Sequence, residues 1–366
     1  MPNEALGAHA HGEELLARAL AERSAGALAN ARRCAHDAVA ALQRSNGSRS
    51  APVVRALLTA GLIDEELGRL DDAERTYEQA RANAVESGAG AAVEVQSQVA
   101  LANLWRVLGR YQEAEALFRV ALQLAEHAFG PEATAVAEVC NALAITFKYT
   151  GRFDEAQDLY ERTLAITERT LGPDHPDVAS VYHNLGGLAH ARGDFTSAEA
   201  PARLALTVRE KALGSDHADV AADKAALASI LDALGKPEEA EQLIRDALTV
   251  FERVYGPDHY ETAVNLHNLA SLRHRHGELD EAETYYRRAL ALKENILGPD
   301  HPELAPTLHN LGLARYERSH HAEASDLWSR AVTILEPVVE PDHPTLIACY
   351  EHRAAANEHL GSETNS

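Results

Sequence analysis

Five Asp-His pairs recur along this chain, Asp174-His175, Asp216-His217, Asp258-His259, Asp300-His301 and Asp342-His343, each 42 residues after the one before. A carboxylate beside an imidazole is the pairing that general acid–base catalysis employs, and both groups ligate metals. Nineteen histidines in all keep that chemistry in view. His183, His190, His267, His274 and His309 form a second set from which a metal-dependent enzyme or a small-molecule site could be assembled. Spacing argues against both. Copies one period apart sit roughly 10 Å from each other if each period is one packed helical unit, too far for a shared ion. His183 and His190 are likewise roughly 10 Å apart along a helix axis. No HExxH or HxxxH pair occurs, and the run Arg273-His274-Arg275-His276 carries guanidinium charge that repels a metal cation. His320-His321 falls at a turn, where solvation accounts for it. The chain has no GxxxxGK[ST] phosphate loop, no GxSxG elbow and no dinucleotide-binding glycine fingerprint. The expectation is a non-enzyme with no catalytic residue, no metal site and no cofactor.

The elements that must position these residues are legible from two ladders of glycine. Gly130, Gly172, Gly214, Gly256 and Gly298 are spaced by 42, within Leu-Gly-Pro-Asp-His-Pro or looser variants, and Glu340 holds the next position. Gly109, Gly151, Gly193, Gly235 and Gly277 form the inner ladder, with Gly68 one residue out of phase and Ser319 closing the series. Between these marks apolar residues follow helical spacing, as in Leu185, Leu188 and Ala189 and then Ala198, Ala205 and Leu206, so each period reads as a helical hairpin. Five residues after each inner mark stands an alanine, from Ala73 and Ala114 through Ala324, small enough for two helices to cross closely. Four residues further come Tyr77, Phe118, Tyr160, Ala202, Ile244, Tyr286 and Trp328, which fill the space between neighbours. In the loops, Gly permits the left-handed helix stop, Pro ends the helix, Asp can accept the free amides of the next helix and Pro can occupy its first turn. A bond from the histidine to a backbone carbonyl would complete that turn. Ala202, the intrahelical Pro201 and the pair Gly61 and Asp64 depart from the pattern, and looser packing is expected there.

This pattern of small residue, aromatic and Ala-Leu resembles the tetratricopeptide repeat, and the 42-residue length with LGPDHP resembles its kinesin light chain subtype. The resemblance implies an all-α, right-handed superhelical solenoid of helical hairpins. Seven repeats span 52–337, with capping helices and a disordered start in 1–51 and a capping helix and tail in 338–366. The helices are read at Glu13 to Arg44 and Thr345 to Leu360, the tails at Met1 to Ala10 and Gly361 to Ser366. A hairpin cannot bury its apolar face alone, so stacking creates one core and a curved inner surface. By resemblance the first helices line that surface. Aligned repeats place Asn141, His183, His267 and His309 in one row and Asn184, Asn268 and Asn310 beside it. The resemblance gives those last three the clamping of a peptide backbone. Two turns further along come Lys148, His190 and His274, with Arg275 adjacent. Cationic and protonatable groups so placed would attract an acidic or carboxylate-bearing segment, more strongly as pH falls through about 6.5. The reading is therefore a protein- or peptide-binding scaffold or adaptor.

Composition sets limits on the rest. The chain of 366 residues is rich in Ala, Leu, Glu and Arg, has 5% aromatic residues and a formal net charge of −22. Such a molecule repels duplexes and anionic membranes, so neither nucleic acid nor membrane is expected as a partner. No basic start precedes an apolar stretch, and no run approaches the roughly 18 apolar residues of a membrane span. Cys34, Cys140 and Cys349 are odd in number and widely spaced, which suits a reducing compartment, and the cytoplasm is the expected location. Asn46-Gly47-Ser48 matches a glycosylation acceptor and is read as a loop. Self-association through apolar end faces or the N-terminal helices is compatible with the same reading.

Overall fold

A computed structural model of the chain describes residues 2–47, 50–88 and 90–363. Among these residues there are seventeen α-helices and no strand. The chain divides into two compact units, Met1–Leu143 and Ala144–Ser366. The first contains α1 (Pro2–Ser24), α2 (Leu28–Asn46), α3 (Ala51–Glu66), α4 (Leu70–Ser87), α5 (Ala91–Val107) and α6 (Tyr111–Phe129), and the division falls inside α7 (Thr134–Thr150). The second contains α8 (Phe153–Leu171), α9 (Pro176–Ala191), α10 (Phe195–Leu213), α11 (Ala218–Ala233), α12 (Pro237–Val254), α13 (Tyr260–Arg275) and α14 (Leu279–Leu297). It ends with α15 (Ala305–Glu317), α16 (His321–Leu335) and α17 (Pro344–Glu363). Helix α1 starts at Pro2, inside the stretch read as disordered, while Met1 and residues 364–366 of the expected tails lie outside the described residues. Of the acceptor pattern, Asn46 ends α2 and Ser48 lies outside the described residues.

Both glycine ladders stop helices for the same reason. The outer set, from Gly130 to Gly298, has φ between 85° and 93° apart from Gly214 at 83°, and the inner set is also positive. Only glycine takes that conformation without cost, so Ser319, at φ 64°, is strained where its ladder calls for glycine. The loop histidines act differently from expectation. His175, His217, His259 and His301 each use Nδ1 to accept the backbone N–H two residues on, at 3.1, 3.2, 3.2 and 3.2 Å. Imidazole, not the aspartate, is the helix cap, and it accepts from an amide instead of donating to a carbonyl. Two of the aspartates face outward to the following second helix, Asp174 to Lys211 at 2.8 Å and Asp216 to Arg253 at 3.7 Å.

The places read as irregular are closely packed. A Cβ on Gly61 would stand 2.5 Å from the Tyr77 ring, and one on Gly312 would stand 2.5 Å from the Trp328 indole. In each case the absent side chain is the space that the large ring fills. Where Ala202 replaces the aromatic, Gly186 lies opposite, its own Cβ position 3.2 Å from the Ala202 backbone nitrogen. Small residues on both sides let α9 and α10 approach closely, so the backbones themselves close the space that an aromatic ring fills in other copies. Helix α10 runs unbroken through Pro201. Asp64 is fully buried against the Arg32 guanidinium and 3.2 Å from His36 Nε2, which ties α3 to α2. His321 packs its ring edge-on to Tyr316 at 4.8 Å and stacks on His359 at 4.7 Å, so it is a helix contact and not a solvated turn residue.

The second unit bends back on itself. At the end of α7, the Thr150 carbonyl accepts the Glu340 N–H at 3.1 Å, and the loop before α17 lays His343 over Gly151.

Candidate functional site

On the wall of the second unit formed by the first helices α9, α11, α13 and α15, the rows read from the sequence fall on α9 (His183, Asn184, His190), α13 (His267, Asn268, His274, Arg275) and α15 (His309, Asn310), and none of them on α11. On α9, His183 Nδ1 is 2.7 Å from Asp223 Oδ1 on α11. Asp223 is buried and also accepts from Arg209 Nη1 of α10 at 3.1 Å, while Arg209 Nη2 donates to Ser180 Oγ at 2.8 Å. On α13 the same offsets recur with other residues. His267 Nδ1 is 3.1 Å from Thr307 Oγ1 on α15, and Lys293 Nζ of α14 donates to that oxygen at 3.3 Å and to the Glu303 carbonyl at 3.4 Å. Lys293 is 6% exposed, and among the described residues no carboxylate pairs with it. Burial pushes its ammonium down to about 8.

On α15, His309 Nδ1 is 3.1 Å from Asn310 Oδ1, and its Nε2 is 3.0 Å from Nδ1 of His352 on α17. Asn310 Nδ2 lies 3.5 Å from His267 Nε2. Asn268 is half-buried and, among the described residues, its carboxamide has no side-chain hydrogen bond, whereas Asn310 is already engaged. Asn184 is half-buried on α9. Asn141 lies on the part of α7 that belongs to the first unit.

Two turns along, Lys148 stands within reach of α9, its Nζ 3.7 Å from a Cβ position on Gly187. His190 packs edge-on to Phe195 at 5.3 Å. Arg275 is joined to the buried carboxylate of Asp232. His274 Nε2 lies 3.1 Å from Glu317 Oε2 without the alignment of a hydrogen bond, and its ring is edge-on to Tyr286 at 6.2 Å. Ser271, His274, Arg275, Tyr286, Asn310 and Glu317 line an open hollow of about 490 Å³ on this wall. The first unit has a comparable hollow of about 520 Å³, where Tyr77 donates to Glu65 at 3.2 Å beside Arg106. Burial raises the Glu65 carboxyl above its usual range.

The electrostatics revise one expectation. Burial, followed by the charges of Arg275 and Lys148, pushes His190 down to about 4. Burial, then Lys293 and Arg275, pushes His267 down to about 3, and His309 is lowered chiefly by burial. His190 and His267 are therefore neutral at pH 6.5 and do not supply the gain in affinity expected through that pH, and His309 is displaced in the same direction. Beside these rings lie Lys148, Lys293 and the Asp232-paired Arg275. Among the described residues no three His, Cys, Asp or Glu side chains converge to hold a metal ion. No helix among them is long and apolar enough to cross a membrane.

Arg209, Asp223, Lys293, Thr307 and His352 escaped the sequence reading. For the charged ones the signal is charge in rows that otherwise carry none: Arg209 and Lys293 share a register position with Thr167, Phe251 and Leu335, and Asp223 shares one with Val139, Val181, Asn265 and Thr307.

Comparison with curated proteins finds no match. Among solved structures, the chain is similar to a Rap protein complexed with competence and sporulation factor, at 12% identity over 92% of this chain and 99% of that one, TM-score 0.64. It is also similar to the apo quorum sensor NprR from B. thuringiensis, at 15% identity over 88% and 87%, TM-score 0.61. The nearly identical TPR-like repeats of a Podosopora anserina kinesin light chain align at 24% identity over 55% of this chain and 95% of that one, TM-score 0.44. The model of the tetratricopeptide repeat matches residues 94–168, 141–211, 220–295 and 267–336. With periodicity, hairpins and family model in agreement over most of its length, the chain belongs to the tetratricopeptide repeat family.

Proposed function

We propose that the chain is a cytoplasmic scaffold that binds an extended protein or peptide segment, acidic or carboxylate-bearing, along the inner wall of its second unit, and that it does so without catalysis. The repeats of 52–337 supply the binding array, and 1–51 and 338–366 cap it. The observation that carries the reading is Lys293, buried behind His267 with no carboxylate paired to it among the described residues, with the Lys148 ammonium and the Asp232-paired Arg275 beside His190, in a chain of net charge −22. Cationic charge so placed steers an acidic segment inward while the outer surface repels it. Asn268 adds a donor and an acceptor suited to a backbone amide. A Rap protein of the same fold is known in complex with competence and sporulation factor, which supports ligand capture as a use of this architecture.

A peptide array probed with the full chain tests the reading. Retention of acidic sequences, with Asn268→Ala weakening them by about 1–3 kcal/mol, is the expected result. Equal retention of acidic sequences and their Asn/Gln counterparts would remove the acidic preference. No retention, or none sensitive to Asn268, would move binding to another surface.

A further inference from the structure

We infer that the wall at His267 and Asn310 is a subsite for one oxyanion of the bound segment, which supplies the counter-charge that Lys293 lacks. This rests on the binding reading above and assigns its anion to a place.

The protein contains its own comparison. In the copy at α9 to α11, a buried cation, a buried carboxylate and a wall histidine stand in line, Arg209 to Asp223 at 3.1 Å and Asp223 to His183 at 2.7 Å. In the copy at α13 to α15, Lys293, Thr307 and His267 occupy the same register positions at 3.3 and 3.1 Å. The cation is kept and the carboxylate has become a hydroxyl, so this copy is one negative charge short. Solvent does not make up the difference, because Lys293 is 6% exposed. The copy between them holds Phe251 and Asn265, with no charge at either position. The fold thus accepts an apolar residue at this position, and Lys293 is not needed to build it. A buried cation without a partner is unfavourable unless something else neutralises it.

Of this cluster His267 is the member that reaches the wall surface, half-buried there while Lys293 and Thr307 are buried. His267 borders Asn310 at 3.5 Å and Tyr286 at 5.4 Å between ring centroids, and Tyr286 and Asn310 line the hollow beside it. Arg275 lines the same hollow but is already paired with Asp232. Asn310 and His267 offer polar edges to an incoming oxyanion, and Lys293 stands behind them as the uncompensated charge. A peptide carboxylate and an inorganic phosphate share that chemistry.

The chain has five lysines, so full-length protein carrying [13Cε]lysine gives a spectrum in which Lys293→Arg assigns the Lys293 signal. Nα-acetylglutamate α-amide and inorganic phosphate are the two probes. The expected result is a Lys293 titration midpoint that rises toward the ordinary lysine range when a probe is added. Thr307→Asp, which restores the charge arrangement of Asp223, should raise it with no probe present and weaken probe binding by about tenfold or more. A response to the glutamate probe points to a peptide carboxylate, and a response to phosphate alone points to a free inorganic anion; both uphold the subsite. A Lys293 signal indifferent to both probes would overturn it, as would a Thr307→Asp variant that binds them unchanged. Array binding with an unmoved Lys293 refutes only the subsite, whereas a moving Lys293 with an empty array refutes only peptide capture.

Discussion

Replacing Lys293 with methionine should make the protein more stable. Bringing an amine from its ordinary 10.5 to about 8 by burial corresponds to roughly 3 kcal/mol held against the folded state, taking about 1.4 kcal/mol for each tenfold change in proton affinity. Methionine keeps the aliphatic stem and removes the charge. Against the gain stand two long hydrogen bonds, to Thr307 at 3.3 Å and the Glu303 carbonyl at 3.4 Å, each worth about 1 kcal/mol or less. The net expectation is therefore a stabilisation of about 1–3 kcal/mol near neutral pH. The sign fixes its pH dependence. A lysine depressed in the folded state binds its proton more tightly when unfolded, so the penalty is whole below about 8 and fades as pH rises toward 10.5. Urea unfolding of parent and Lys293→Met across that range, followed by far-UV circular dichroism, measures the difference directly. The variant should lead at pH 7 and lose its lead by about pH 10.5. A variant equally or less stable at pH 7, by a margin that ignores pH, would refute the view of Lys293 as an uncompensated buried cation.

Ser319→Gly relieves a left-handed residue and should raise stability by about 1 kcal/mol, visible as a higher Tm. Gly312→Ala drives a methyl group into the Trp328 indole and should cost about 1–3 kcal/mol, with a change in tryptophan fluorescence because Trp328 is otherwise fully buried. His259 is lowered by burial and accepts the Glu261 N–H, so its contribution is present above about 6.5 and is lost as pH falls below it. His259→Asn, which keeps an acceptor at the cap, should blunt the acid sensitivity in thermal melts at pH 7 and pH 5, and an unchanged profile would remove the cap from the explanation.

The hairpins were legible because their causes are local. A positive-φ glycine, a proline at a helix start and a 3.6-residue apolar rhythm act within one or two turns, so the ladders alone located the helix ends. The loop cap was harder, since aspartate and histidine can both accept an amide and sequence order does not say which one reaches it. Gly61 looked irregular only while Tyr77 was unseen, because the ring that fills its missing side chain arrives from the following helix.

By itself the sequence determined the repeat, the hairpins and the rows of His, Asn, Lys and Arg on the first helices. Tertiary structure decided what those rows do. His190 and His267 read as protonatable groups, yet burial and the charges of Arg275, Lys148 and Lys293 hold them neutral. Arg275 read as a cation open to a ligand, and Asp232 from the preceding first helix pairs with it. Lys293 escaped the sequence reading and stands buried with no carboxylate paired to it among the described residues. Each outcome depends on which side chains of successive hairpins meet and how deeply they are buried, and a charge answers to its distance from its neighbours and from water in space, which the order of residues along one helix does not contain.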